Sequence, residues 1–299
     1  MIIPVISIFL MAPRMVNLPP GKVLMVLQPH HDDHTTDYGM GGLIAKFTEA
    51  GWEAWYVRAS NDEKDGANGY AHNDMINLRE SLAGTRELGM KGVYSLNWRN
   101  DYMDPIPLNE LREQLILLIR KHRPDVVLGH DPWGHYDRNP DHRKVARAEA
   151  EAVWMAGLSN VHPEHFELGL KPHRVPYRFY KARVDYGRGH EANAFVELTE
   201  SQVRKKQKAY VAHRNVYASP AMARSVRQQL EAQGLVIPEL EGKSDEEAAV
   251  MIEEWHMDWI SRKRGAENGV RYAEIYWFAD EFDSLPGLKE YLGANVVKK

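Results

Sequence analysis

Gln28-Pro29-His30-His31-Asp32-Asp33-His34 crowds three imidazoles and two carboxylates into seven residues. Imidazole nitrogen and carboxylate oxygen are donors suited to a zinc-like cation, and a carboxylate left over from ligation can act as a base. A second stretch of the same character follows: His130-Asp131-Pro132-Trp133-Gly134-His135-Tyr136-Asp137-Arg138-Asn139-Pro140-Asp141-His142. The chain has no cysteine. Disulfides, thiolate metal sites and cysteine nucleophiles are thereby excluded, and any metal must be held by His, Asp or Glu. Three such ligands leave a coordination position for water, as catalytic zinc requires.

Both stretches follow apolar runs that must place them. Lys22 to Leu27 reads as a buried strand, and the residues after Asp33 pass through Gly39, Gly41 and Gly42 into a helical pattern. Further strands are predicted over 52–59, 93–96 and 125–129, with helices over 75–88, ending at Gly89, and over 108–122, stopped before Pro124. Pro140 marks another helix start, with Asp141 and His142 in its first turn. This alternation predicts an α/β fold, a doubly wound (Rossmann-like), mostly parallel sheet with helices on both faces. Ligands bind at the carboxyl ends of such strands, where both His/Asp stretches would lie. Beyond them come predicted strands over 177–182, 194–198 and 272–278 and helices over 200–214, 220–233 and 245–263, a helix-rich C-terminal elaboration. The expected organisation is an N-terminal extension, 1–21, and a single domain, 22–299, divided into an α/β core, 22–160, and the elaboration, 161–299.

Composition narrows the function classes. At 299 residues, 43% hydrophobic and 27% charged, the chain reads as an ordinary soluble globular protein. A net charge of −4 gives no electrostatic footprint for nucleic acid. The apolar run Met1 to Met11 is too short to span a bilayer and lacks a preceding positive region. It is read as a loosely held or docked extension, cytoplasmic location being the expectation and export remaining open.

In their order, the motifs resemble the LmbE-like or PIG-L family of zinc-dependent N-deacetylases, which act on N-acetylglucosamine derivatives. The family's Pro-His-x-Asp-Asp at a strand end is matched by Pro29-His30-His31-Asp32-Asp33, and its His-Pro-Asp-His by Asn139-Pro140-Asp141-His142. Its Arg-x-x-Glu helix ending in Leu-Gly resembles Arg79-Glu80 to Leu88-Gly89, although Arg and Glu are adjacent here, and its C-terminal Ala-Glu-aromatic strand resembles Ala273-Glu274-Ile275-Tyr276. The likeness covers residues 22–160 well and the remainder loosely. It implies His30, Asp33 and His142 as Zn2+ ligands, Asp32 as general base, Asp141 as a residue supporting the ligands, and Arg79 and Asp101 as substrate contacts. Two departures stand out. His31 replaces the family's usual Pro, and Asn139 replaces a His that helps stabilise the oxyanion. An amide can donate to a tetrahedral intermediate but cannot act as an acid, so Asn139 is assigned oxyanion contact and Asp32 all proton traffic.

The expected function is therefore hydrolysis of an N-acyl group, acetyl in the first instance, from an amino-sugar derivative. The alternatives are a deacylase of another acyl amine, such as a lipidated glycopeptide or amino-acid amide, and a metal-dependent sugar-binding protein without turnover. The resemblance also suggests a homo-oligomer. His31 and His34 are read as supporting or pocket-wall residues, and His130, Trp133 and His135 as packed loop residues that could line an entrance. Lys205, Lys206 and Lys208 are read as a solvated helix face, and His213 as a helix C-terminal cap.

Overall fold

A computed structural model of the chain describes residues 13–36, 39–100, 103–134, 137–181, 192–280 and 288–295. Its strands are β1 (Arg14–Met15), β2 (Val23–Gln28), β3 (Glu53–Ser60), β4 (Gly92–Trp98), β5 (Val126–His130), β6 (Tyr177–Lys181), β7 (Ala194–Glu197) and β8 (Ala273–Asp280). Its helices are α1 (Gly41–Glu49), α2 (Tyr70–Glu87), α3 (Leu108–His122), α4 (Pro140–Met155), α5 (Glu164–Glu167), α6 (Glu200–Val211), α7 (Pro220–Ala232), α8 (Asp245–Glu267) and α9 (Leu288–Asn295). The described strands make one sheet in the order β1-β7-β8-β6-β5-β2-β3-β4. Pairing is parallel from β6 through β4, while β8 runs antiparallel to both β6 and β7.

The reason β2 is apolar from Val23 to Leu27 lies in the pleat. Successive side chains point to opposite faces, and both faces are covered. Leu24 and Val26 pack with Leu43, Ile44 and Phe47 of α1 and Val203 and Ala209 of α6, whereas Met25 and Leu27 pack with Leu111, Leu115 and Ile119 of α3 and Val145 and Ala148 of α4. Chain order supplies the functional address. From β2 the sheet grows outward through β3 and β4, and the chain then returns to place β5 on the other side of β2. The crevice at the carboxyl ends of β2 and β5 is the topological switch point, where open α/β sheets bind ligands.

One expectation is filled in and one is corrected. The extension assigned to residues 1–21 is partly built into the sheet, because Arg14 and Met15 pair in parallel with β7. The apolar run at 1–11 lies outside the described residues. Lys206 is buried rather than solvated, and its Nζ sits 2.9 Å from Glu274 Oε1. Glu274 also accepts from the N–H groups of Gly42 and Leu43 at 2.9 and 2.8 Å, which fastens the start of α1 to β8. Gly42 makes this approach possible, since a Cβ there would stand 2.9 Å from Glu274 Oε1 and closer still to Leu198. Among the described residues, no helix is long and apolar enough to cross a membrane.

Candidate active site

The loop leaving β2 is shaped by its own side chains. The His30 N–H donates to Asp33 Oδ2 at 2.9 Å, Thr35 donates to the Asp32 carbonyl through both its N–H and its hydroxyl, and the Tyr56 hydroxyl donates to the His30 carbonyl. The second loop ends in a capped helix. Asn139 is the N-cap of α4, its Oδ1 accepting from the Asp141 N–H at 2.9 Å, and Pro140 opens the first turn. Asp141 and His142 are thereby fixed in orientation.

These loops bring His30, Asp33 and His142 together. His30 Nδ1 lies 3.1 Å from His142 Nε2 and 3.2 Å from Asp33 Oδ2, and His142 Nε2 lies 3.6 Å from Asp33 Oδ1. Donors held about 2.0–2.1 Å from a tetrahedral zinc stand about 3.3–3.4 Å from one another, so the set fits such an ion in type and spacing. Each imidazole has a carboxylate behind it. His142 Nδ1 meets Asp137 Oδ2 at 2.9 Å, and His30 Nε2 meets Asp141 Oδ2 at 3.4 Å. Such partners fix the tautomer and the ring orientation of a ligand.

Electrostatics keeps the carboxylates ionised. Burial pushes the Asp33 carboxyl up, but Lys181, whose Nζ is 3.3 Å from Oδ1, outweighs it with help from His142 and His130 and holds the group well below the usual carboxylate range. Burial also pushes Asp32 up, and the neighbouring His31 draws it below its ordinary value. Tyr217 adds a hydrogen bond to Asp32. An ionised, mostly buried carboxylate one residue from a candidate ligand suits a proton acceptor.

The remaining expected residues divide. Asp141 lies behind His30, as expected of a supporting group, and Asn139 lies at the head of α4. Arg79 is exposed on α2. The Arg-x-x-Glu spacing, counted back from Glu80, falls on Asn77, which is buried and donates to the backbone carbonyls of Asp62 and Asp65. Asp101 and His135 lie outside the described residues. His130 is buried 3.6 Å from Asp33 Oδ1, while Trp133 is exposed. His213 is no simple cap; its ring is buried, edge-on to His31 at 5.2 Å.

Sequence reasoning missed Asp137, Lys181, Glu80 and Tyr217. Asp137 had a signal, five residues before His142 in a loop already singled out. Lys181 had none, because a single Lys at the end of an ordinary strand reads as solvated until β6 is known to lie beside β5.

The match to known proteins is consistent with this geometry. The family model described as PIG-L, GlcNAc-PI de-N-acetylase, matches residues 25–153. A diacetylchitobiose deacetylase from Thermococcus kodakarensis is 30% identical over 182 residues, 60% of this chain and 64% of that protein. The chain thus spans a little under two thirds of that relative's length. Among solved structures, an N,N'-diacetylchitobiose deacetylase from Pyrococcus horikoshii superposes with a TM-score of 0.65 at 24% identity, covering 90% of this chain and 88% of the other. GalB, a 4-carboxy-2-hydroxymuconate hydratase from Pseudomonas putida KT2440, superposes at 0.60 and 18% identity, covering 87% and 96%. Likeness at these identities establishes the fold. That the fold also carries a hydratase means the reaction must be argued from the site.

Proposed function

We propose that this chain, whose residues 25–153 match the PIG-L family model, is a zinc-dependent amide hydrolase that removes an N-acetyl group from an amino-sugar conjugate. The observation that carries this reading is the spacing of 3.1–3.6 Å among the facing donors of His30, Asp33 and His142, with Asp32 beside them at the switch point. A cation held by these three residues would polarise the amide carbonyl and acidify water. Asp32 accepts the proton that water gives up as it attacks, and passes it to the nitrogen as the C–N bond breaks, leaving acetate and a free amine. Asn139 contributes its amide N–H2 to the developing oxyanion, since its Oδ1 is engaged by the Asp141 N–H and the amide plane is thereby set. Asp137 holds His142, and Asp141 holds His30, in ligating orientation. The substrate class follows the Thermococcus relative, whose name describes a deacetylase of a disaccharide of N-acetylglucosamine.

The test is amine release from a panel of N-acetylglucosamine conjugates and longer N-acyl analogues, with zinc supplied. Release from acetyl substrates, abolished in Asp32→Asn while metal is retained, is the expected result. Release from long-chain acyl amines alone would move the substrate class. Absence of release from any of them, or near-normal turnover by a zinc-loaded Asp32→Asn, would overturn the reading.

A further inference from the structure

A second group of metal-binding side chains converges beside the first. His31 comes from the loop after β2, Glu80 from α2 and His213 from the segment just after α6, and one donor atom from each lies within 4.8 Å of the other two. Both imidazoles are fully buried, and neither ring nitrogen of His213 nor Nε2 of His31 has a hydrogen-bond partner. The neighbouring His34 is in the same condition, its ring 5.8 Å from that of His213. Buried polar groups are ordinarily satisfied, and each orphan costs about 1–3 kcal/mol, so so many in one place point to a ligand that satisfies them.

The surroundings favour a cation. His31 Nδ1 faces Asp32 Oδ1 at 3.7 Å and Asp62 Oδ2 at 3.6 Å; Arg58, 2.9 Å from Asp62, offsets only that second charge. The Glu80 carboxylate is steadied by the Asn215 N–H, 3.1 Å from each of its oxygens. Gly84 clears the approach from α2, because a Cβ at that position would stand 3.1 Å from His213 Nε2. Two imidazoles and one carboxylate form a donor set of the zinc class.

We infer that His31, Glu80 and His213 form a second transition-metal site, taking Zn2+ or a cation of like preference, separate from His30, Asp33 and His142. Occupancy ties the β2 loop, α2 and the end of α6 together, and it fixes His31 against Asp32. Binding energy at such a site appears as stability of these three elements.

The experiment is Zn2+ titration of the full chain after chelator treatment, followed by desalting and elemental analysis. Expected stoichiometries are two equivalents for the native chain, one for His213→Gln, one for His142→Ala and none for the double variant. Co2+ loading of His142→Ala should give a tetrahedral absorption band, and Zn2+ should raise the Tm of that variant, both effects lost when His213→Gln is added. One equivalent in the native chain and none in His142→Ala overturns the second site, as does a His213→Gln that still binds two. Should His213→Gln not fold, the count in His142→Ala alone decides. Failure here leaves one equivalent and full amine release, whereas failure of the deacetylase reading is absence of amine release at any metal content.

Discussion

Asp137 is the residue whose removal most directly tests how the proposed metal ligands are held. Its Oδ2 lies 2.9 Å from His142 Nδ1, both side chains are nearly buried, and its Oδ1 accepts from the Asn139 N–H at 3.0 Å. With Nδ1 as donor, the His142 lone pair sits on Nε2, facing His30 and Asp33. Asp137→Ala removes the acceptor that selects this tautomer, and losses of such partners cost about 10–100-fold in metal affinity, equivalent to about 1.4–2.7 kcal/mol. Asp137→Asn retains an acceptor oxygen without the charge and should lose less. The Asp141 contact to His30 is longer, at 3.4 Å, so Asp141→Asn should also fall below the Asp137→Ala loss. The assay is amine release in zinc-buffered solutions, read as the free Zn2+ concentration giving half-maximal rate, with circular dichroism confirming the fold. Asp137→Ala should raise that concentration by about 10–100-fold while leaving the rate at saturating metal much closer to native. A folded Asp137→Ala with unchanged half-activation would show that Asp137 does not orient His142.

Other perturbations probe the scaffold. Glu274→Ala removes the carboxylate beside the buried Lys206 ammonium and the acceptor of two N–H groups at the head of α1, and should cost about 3–5 kcal/mol in urea unfolding; a paired Lys206→Met, Glu274→Leu variant should recover part of it, and a loss under about 1 kcal/mol would refute the assigned role. Glu149 is fully buried, and burial, only partly offset by the His130 backbone N–H and by Lys181, holds its carboxyl well above the usual carboxylate range. An acid with a raised folded pKa contributes full stability below its unfolded value near pH 4.3 and loses about 1.4 kcal/mol per pH unit as pH climbs from there towards the folded pKa. Glu149→Gln removes that slope, so its Tm should gain on the native protein as pH rises above the unfolded carboxylate value; parallel curves would mean that Glu149 does not titrate this way. Arg79→Ala, on the exposed face of α2, should leave kcat/KM within roughly twofold, and a tenfold loss would restore Arg79 to the substrate site.

The layout of the fold was legible because it is written in local patterns. The run at 23–27 is apolar at every position, which only a strand covered on both faces requires, and α3 spans Leu108–His122 as its apolar spacing and Pro124 predict. The two His/Asp loops were legible for the same reason, since each is contiguous and each follows such a strand. Long-range pairing left weaker marks. Arg79 and Asn77 lie two positions apart on one helix, and only the direction of α2 decides which of them faces inward. Lys206 sits in a run of three lysines, and its burial depends on β8 delivering Glu274 beneath it.

Asn139 shows how a departure from a motif can be understood through backbone physics. A residue at the head of α4 must satisfy an N–H that the helix leaves unpaired, and asparagine is among the best residues at this task. Its Oδ1 does so here, at 2.9 Å from the Asp141 N–H, so the same side chain that gives up acid catalysis gains a fixed amide plane. A fixed plane is what an oxyanion donor needs, because its value depends on being oriented before charge develops. The proton work then falls to a group that can change charge, and Asp32, ionised beside His31 and bonded to Tyr217, is placed to do it. In the proposed mechanism, Asn at the cap would therefore concentrate acid and base roles in one carboxylate, and would make the polar groups that set its charge, His31 first among them, part of how the site works.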